Sequence, residues 1–130
     1  MFDYIIVGGG SAGCVLAARL TEDPQVNVAL LEAGPPDRSV LIHCPAGLAL
    51  LAQTGQANWK FDTVAQSGLN GRSGYQPRGK VLGGSSSVNA MIYVRGHRQD
   101  YDQWAAEGNP GWSFDDVLPY FKRAEHNERG

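Results

Sequence analysis

The chain has 130 residues, 42% of them hydrophobic and 18% charged, with a formal net charge of −2. That balance suits one globular domain long enough to bury a core, and it offers no electrostatic case for nucleic acid or an anionic membrane surface. No apolar run reaches the ~20 residues of a membrane span, and two cysteines, Cys14 and Cys44, are too few for a disulfide framework and lack metal-ligand spacing.

Tyr4, Ile5, Ile6 and Val7 form an unbroken apolar run ended by Gly8, Gly9 and Gly10. Such a run reads as a strand buried on both faces in a parallel sheet, and its early start leaves no room for a signal peptide. From Ser11 to Thr21 the pattern turns helical, with Val15, Leu16, Ala18 and Leu20 apolar and Arg19 at the solvent edge. Cys14, inside that helix, reads as a small buried hydrophobe. Pro24 stops the helix, and Val26, Val28, Ala29, Leu30 and Leu31 make a second apolar run closing on Glu32. Residues 1–34 thus read as a βαβ unit.

After the loop "AGPP", residues 45–52 suit a short helix with a proline in its first turn. Residues 59–65 and 73–78 flank a turn containing Asn70-Gly71, which predicts a loose antiparallel hairpin. Residues 98–107 read as a helix with Tyr101, Trp104 and Ala105 on one face. Ser113 with Asp116 resembles a capping box opening a helix over Phe114–Ala124, with Val117, Phe121 and Ala124 inward. There is no internal repeat. A dinucleotide-binding sheet needs at least three parallel strands, yet no further βαβ unit follows Glu32, so either the missing strands come from elsewhere or the chain is a piece of something larger.

The chemistry-bearing motif is Gly8-x-Gly10-x-x-Gly13, placed after a strand and at the start of a helix. Gly8 permits the tight turn, Gly10 leaves the backbone open to a pyrophosphate, and Gly13 lets the helix lie close to the sheet. Amides near Ser11 and Ala12, at the positive helix end, then face the phosphates. Glu32 ends the second strand, where a carboxylate accepts hydrogen bonds from ribose hydroxyls and repels a 2′-phosphate, which disfavours NADP. The motif leaves FAD against NAD open.

Glycine is in excess, at 17 residues, and a second glycine-rich run, Gly83, Gly84, Ser85, Ser86 and Ser87, is more than a short ligand would need. It makes sense if the ligand is long. FAD joins ADP through a pyrophosphate to a flavin, so one loop would hold the middle and another the flavin end, with small residues, hydroxyls and amides and Asn89 as a further polar group. The serines also fit a plain role, capping a helix that begins near Ser85.

The stretch "GKVLGGSSSVNAMIYVRGHRQDYD" at 79–102 resembles the first signature of the glucose–methanol–choline (GMC) oxidoreductases, FAD-dependent alcohol oxidases and dehydrogenases. The openings "FDYIIVGGGSAGCVLAARL" and "LLEAG", with "NWKF" and "PRGK", extend the likeness over nearly the whole chain, nearest to the choline-dehydrogenase-like branch. The resemblance implies an α/β, Rossmann-like FAD-binding fold with an antiparallel hairpin and following helices, the incomplete N-terminal part of a two-domain flavoenzyme whose substrate domain is absent. It implies cofactor contacts from Gly8, Gly10, Ser11, Ala12, Gly13, Glu32 and Ala33, and from Val81, Gly83, Gly84, Ser85, Asn89, Ala90, Met91 and Ile92 along the flavin. In some members a histidine just before the asparagine carries the flavin covalently. Here that position is Val88, which predicts non-covalent FAD.

The family's catalytic histidine lies near the end of a much longer chain. His43, His97 and His126 are not in that setting and read as surface or helix-end residues, so no catalytic residue and no metal ligand is expected in these 130 residues. The resemblance implies oxidation of a primary alcohol, choline-like, aliphatic or aromatic, to an aldehyde by hydride transfer to FAD. The partners are then a small alcohol, through the absent part, and the remainder of the same enzyme. The two cysteines and the early strand make a reduced, cytoplasmic compartment the default, with peripheral membrane association as the alternative. Alone, the segment is expected to expose an apolar strand edge, to bind FAD weakly or not at all, and to be inactive. A stand-alone nucleotide-binding module and an NAD-dependent dehydrogenase fragment are the competing readings.

Overall fold

In the computed structural model residues 1–125 are described, and His126 lies outside the described residues. Contacts divide the chain into two units, Met1–Ile92 and Tyr93–Gly130.

In the first unit, strands β1 (Tyr4–Val7) and β2 (Val28–Leu31) pair in parallel, Tyr4 opposite Val28 and Val7 opposite Leu31, with helix α1 (Ser11–Leu20) between them in sequence. This is the predicted βαβ unit. The strands are not buried as predicted: Ile5 is 65% and Val7 84% exposed. The cause is the width of the sheet, since β1 has β2 as its only partner among the described residues, and an apolar face is covered only by an element packed on it. Cys14, expected to be buried, is likewise uncovered and exposed, its thiol donating 3.3 Å to the Gly9 carbonyl.

Helix α2 (Val40–His43) is one turn that the sequence did not announce, started by Ser39, whose hydroxyl accepts from the Leu41 amide at 3.3 Å. His43 is its last residue, with Nε2 2.6 Å from the Asp37 carbonyl. Helix α3 (Gly47–Thr54) corresponds to the helix expected at 45–52, shifted by two residues, and Gly55 closes it at φ +63°, in the left-handed region. The hairpin forms, though short. Strands β3 (Phe61–Asp62) and β4 (Tyr75–Gln76) pair antiparallel, with isolated bridges between Asn58 and Gly79 and between Gln66 and Arg72. Asn70 and Gly71 both take positive φ at its tip.

Only Leu51 and Val81 are buried hydrophobics among the described residues. The expected core is therefore small, and main-chain contacts take over much of its work at the site below.

In the second unit, helices α4 (Arg98–Ala106) and α5 (Phe114–Ala124) match the predicted pair. The Asp116 amide donates to Ser113 Oγ at 3.4 Å and the Ser113 amide to Asp116 Oδ2 at 3.2 Å, which is the predicted capping box. His97 holds the start of α4, its Nδ1 accepting from the Gln99 amide at 3.2 Å. Tyr101 sits among rings, 5.3 Å from Trp104, 5.9 Å from Phe114 and 5.7 Å from Phe121 between centroids. Arg98 grips Asp115 through two hydrogen bonds of 2.8 Å, and Arg95 pairs with Glu125. Val117 and Phe121 are half-buried, Phe121 against the Tyr101 ring, but Ala124, expected inward, is exposed because α5 ends there.

Candidate functional site: a groove between two glycine loops

The first loop is fixed by what its glycines touch. A Cβ on Gly13 would lie 1.9 Å from the Gly8 carbonyl oxygen, so α1 can start this close to the turn only without a side chain there. Gly8 takes φ +103°, and a Cβ on it would meet nothing within 4 Å. The first helical hydrogen bond runs from the Cys14 amide to the Gly10 carbonyl, 2.9 Å. The amides of Ser11, Ala12 and Gly13 therefore precede the helical ladder, and no side chain caps them.

Glu32, at the end of β2, is a strut. Its Oε2 accepts from the Gly9 amide at 2.7 Å and its Oε1 from the Gly34 amide at 2.8 Å, so both oxygens are aimed by the backbone around them.

The second loop packs on the first, main chain against main chain. The Gly83 amide donates to the Gly9 carbonyl at 2.7 Å, and a Cβ on Gly84 would stand 2.9 Å from Gly10 Cα. A Cβ on Gly79 would lie 2.3 Å from the Gly84 carbonyl oxygen, and one on Gly34 would lie 2.2 Å from the Lys80 carbonyl. The second glycine pair thus lets two backbones meet. The serines do not open a longer helix. Residues Gly84–Ser87 form one 3-10 turn, because Ser86 and Ser87 donate to the Gly83 and Leu82 carbonyls at 2.6 and 2.8 Å. Ser85 differs: its Oγ accepts from the Gly79 amide at 3.0 Å, which leaves its hydroxyl proton to donate.

Between the loops lies a groove of about 680 Å³. Of the residues expected from the sequence, Gly8, Gly10, Ser11, Ala12, Gly13, Glu32, Ala33, Gly84 and Ser85 line it together. Gly83 is joined to them through its bond to Gly9. Val81 lies beneath, 1% exposed, so its side chain is part of the core. Asn89 instead borders two other cavities, of about 420 and 170 Å³, and Met91 borders the smaller. Ala90 and Ile92 are exposed. Sequence reasoning missed Trp59 and Arg78, which also line the groove. They sit at the base of the hairpin, and no local pattern announces that this base returns to the glycine loop.

The groove fits a diphosphate. It has unspent amides at a helix start, open space over Gly8, and only Gly84 Cα, at 3.9 Å, near a Cβ placed on Gly10. Those are the features of an anion-binding backbone. No cluster of groups able to hold a metal occurs among the described residues, and no described helix is long and apolar enough to cross a membrane.

Comparison with known proteins gives this groove its setting. Residues 2–128 match the family described as GMC oxidoreductase. The chain is 56% identical over 129 residues to the alcohol dehydrogenase [acceptor] of Pseudomonas putida, covering 99% of this chain and 23% of that protein. It is 53% identical over 124 residues to the oxygen-dependent choline dehydrogenase of Photobacterium profundum, covering 95% and 22%. Among solved structures, pyridoxine 4-oxidase from Mesorbium loti superposes with a TM-score of 0.84 at 44% identity, over 93% of this chain and 24% of that one. The chain thus spans under a quarter of the length of these relatives, in a family whose members depend on FAD. A mixed α/β chain with this paired-loop groove, matched almost from end to end, belongs to the GMC oxidoreductase family.

Proposed function

We propose that these residues form the N-terminal part of the FAD-binding domain of an enzyme that oxidises a primary alcohol, choline-like, aliphatic or aromatic, to an aldehyde. The carrying observation is the shared groove of Gly8–Gly13 and Gly84–Ser85 in a chain of this family. FAD, when bound, supplies the hydride acceptor. The chain's own part is to hold it. The amides of Ser11, Ala12 and Gly13 and the Ser85 hydroxyl would face the diphosphate, while Glu32 and Ala33 would meet the ribose. Val81 and Gly83 support the second loop, and Asn89, Ala90, Met91 and Ile92 would run along the ring system. Residues 1–34 are the dinucleotide-binding unit and 79–102 the flavin-side segment. The alcohol site and the base that takes the alcohol proton belong to the remainder of the same enzyme, so the 130 residues alone bind FAD weakly and do not turn over.

The flavin is held without a covalent bond, since Val88 offers no nucleophile where some relatives carry a histidine. A cytoplasmic location accords with two cysteines that are both free and exposed. The test is purification of the full-length polypeptide, acid precipitation and identification of the flavin. FAD in the supernatant, with choline or another primary alcohol reducing a dye through the native protein, is the expected result. Colourless protein would sink the reading, and flavin retained on the precipitate would sink its non-covalent part.

A further inference from the structure

The groove carries a feature that the glycine motif does not explain. Its lining holds one acidic side chain, Glu32, and one cation, Arg78. Glu32 is turned toward the amides of Gly9 and Gly34, so the two charges are not paired with each other, and no ion pair of Arg78 occurs among the described residues. The Arg78 side chain makes one described hydrogen bond, from Nη1 to the adjacent Pro77 carbonyl at 2.6 Å, leaving most of its five donors unspent. The nearby Lys80 is otherwise engaged, its Nζ 4.4 Å from the centroid of the Trp59 ring.

The backbone fixes where Arg78 stands. Its amide donates to Asn58 Oδ1 at 3.1 Å and its carbonyl accepts from the Trp59 amide at 2.9 Å, which clamp it to the hairpin base. The next residue, Gly79, donates to Ser85 Oγ in the second loop. A dinucleotide brings two negative charges to a loop that offers only partial charges, from amides and a helix end. A guanidinium matches phosphate oxygens two at a time.

We propose that Arg78 is a cofactor-binding residue whose guanidinium closes over the diphosphate from the hairpin side, opposite the Gly8–Gly13 amides. This rests on the reading that the groove holds FAD. It assigns to the hairpin a recognition role, and it makes the diphosphate, rather than the ring system or adenine, the part of the ligand that Arg78 senses.

The test uses full-length apoprotein and its Arg78→Gln and Arg78→Lys variants, titrated with FAD, with ADP and with adenosine, which lacks the diphosphate. Arg78→Gln is expected to weaken FAD and ADP about tenfold or more, equivalent to ~1.4 kcal/mol, to leave adenosine unchanged, and to flatten the salt dependence of FAD binding. Arg78→Lys should keep part of the affinity. Because Arg78 is exposed, thermal unfolding of the apoprotein should not move. Unchanged FAD affinity in Arg78→Gln would overturn the inference while leaving the FAD reading intact, and so would an equal loss for adenosine. Wild-type protein that binds none of the three would overturn both.

Discussion

The junction of the two glycine loops and the stretch Asn89–Ile92, both within the first unit, are built in opposite ways. At the junction, Gly83 bonds to Gly9 and Gly84 lies on Gly10 with no room for a methyl group. Geometry there is set by the main chain, and the contacts close within these residues. Along Asn89–Ile92 there is no helix or strand. Met91 sits at φ +57°, its amide donating to Asn89 Oδ1 at 2.9 Å, and Ile92 is 77% exposed. The first region is finished by its own backbone, whereas the second leaves its side chains largely exposed, Met91 at 59% and Ile92 at 77%. On the proposed reading a diphosphate asks only for amides and space, which one βαβ turn and one loop would supply. A ring system asks for walls, and walls come from more chain than under a quarter of a GMC oxidoreductase contains.

That contrast predicts where single methyl groups matter. The largest effect belongs to Gly13→Ala. Its Cβ would meet the Gly8 carbonyl at 1.9 Å, and a backbone oxygen cannot swing away as a side chain can. A loss of roughly 3 kcal/mol or more is expected, read by urea unfolding of the full-length protein together with loss of bound flavin. A variant within ~0.5 kcal/mol of wild type would break the account of the turn. Gly84→Ala should cost about 2 kcal/mol, combining a left-handed φ of +58° with an approach of 2.9 Å to Gly10 Cα. Met91→Gly gives the matched control. It relieves the positive φ at an exposed site, and stability should stay within ~0.5 kcal/mol of wild type. If Gly84→Ala were the milder change, the comparison would be inverted.

How far the sequence foretold this follows the same line. Local signals were legible: the strand–glycine–helix order of residues 4–20, Asn70-Gly71 at the hairpin tip, and Ser113 with Asp116 at the start of α5. Each is settled by residues close in the chain. Helix α2 was not legible, because four residues show no helical period and its only cue is Ser39. Burial was misjudged for Tyr4–Val7 and Cys14, since apolarity states what a strand or helix would cover and not whether a neighbour is present to cover it. In the site, the glycines of both loops could be named from their spacing, but Gly34, Trp59 and Arg78 depend on where residues 58–84 return in space.

Glu32 tests whether a strut is separable from a ligand contact. In Glu32→Gln one of the Gly9 and Gly34 amides would face an NH2 instead of an oxygen. The apoprotein should lose about 1.5 kcal/mol, the scale of a hydrogen bond to a charged group. Unfolding measured without FAD isolates this cost. No loss in the apoprotein would mean that the carboxylate serves only the ligand.

The smallest effect is expected where side chains alone make the contact, at Arg98 and Asp115 in the second unit. The Arg98 hydrogen bonds, with the charge of Arg98 behind them, hold the Asp115 carboxyl below its ordinary value of 3.8, against a smaller opposing effect of desolvation. A carboxyl depressed in the folded state adds stability above its unfolded value, and that stability is lost as the pH falls through the folded one. The loss therefore begins near pH 4 and grows below it. Both partners are exposed, at 50% and 73% for their side chains, so salt should screen the pair as well. Near-ultraviolet dichroism from the Trp104–Trp112 contact, 6.1 Å between centroids, reports on this helix pair. Wild type should show a small acid-side and salt-dependent loosening that Asp115→Asn lacks. Gly84→Ala, whose penalty is steric, should be as costly in high salt as in low. If the cost of Asp115→Asn were as insensitive to salt as that of Gly84→Ala, the distinction between a contact built from charges and one built from the main chain would be removed.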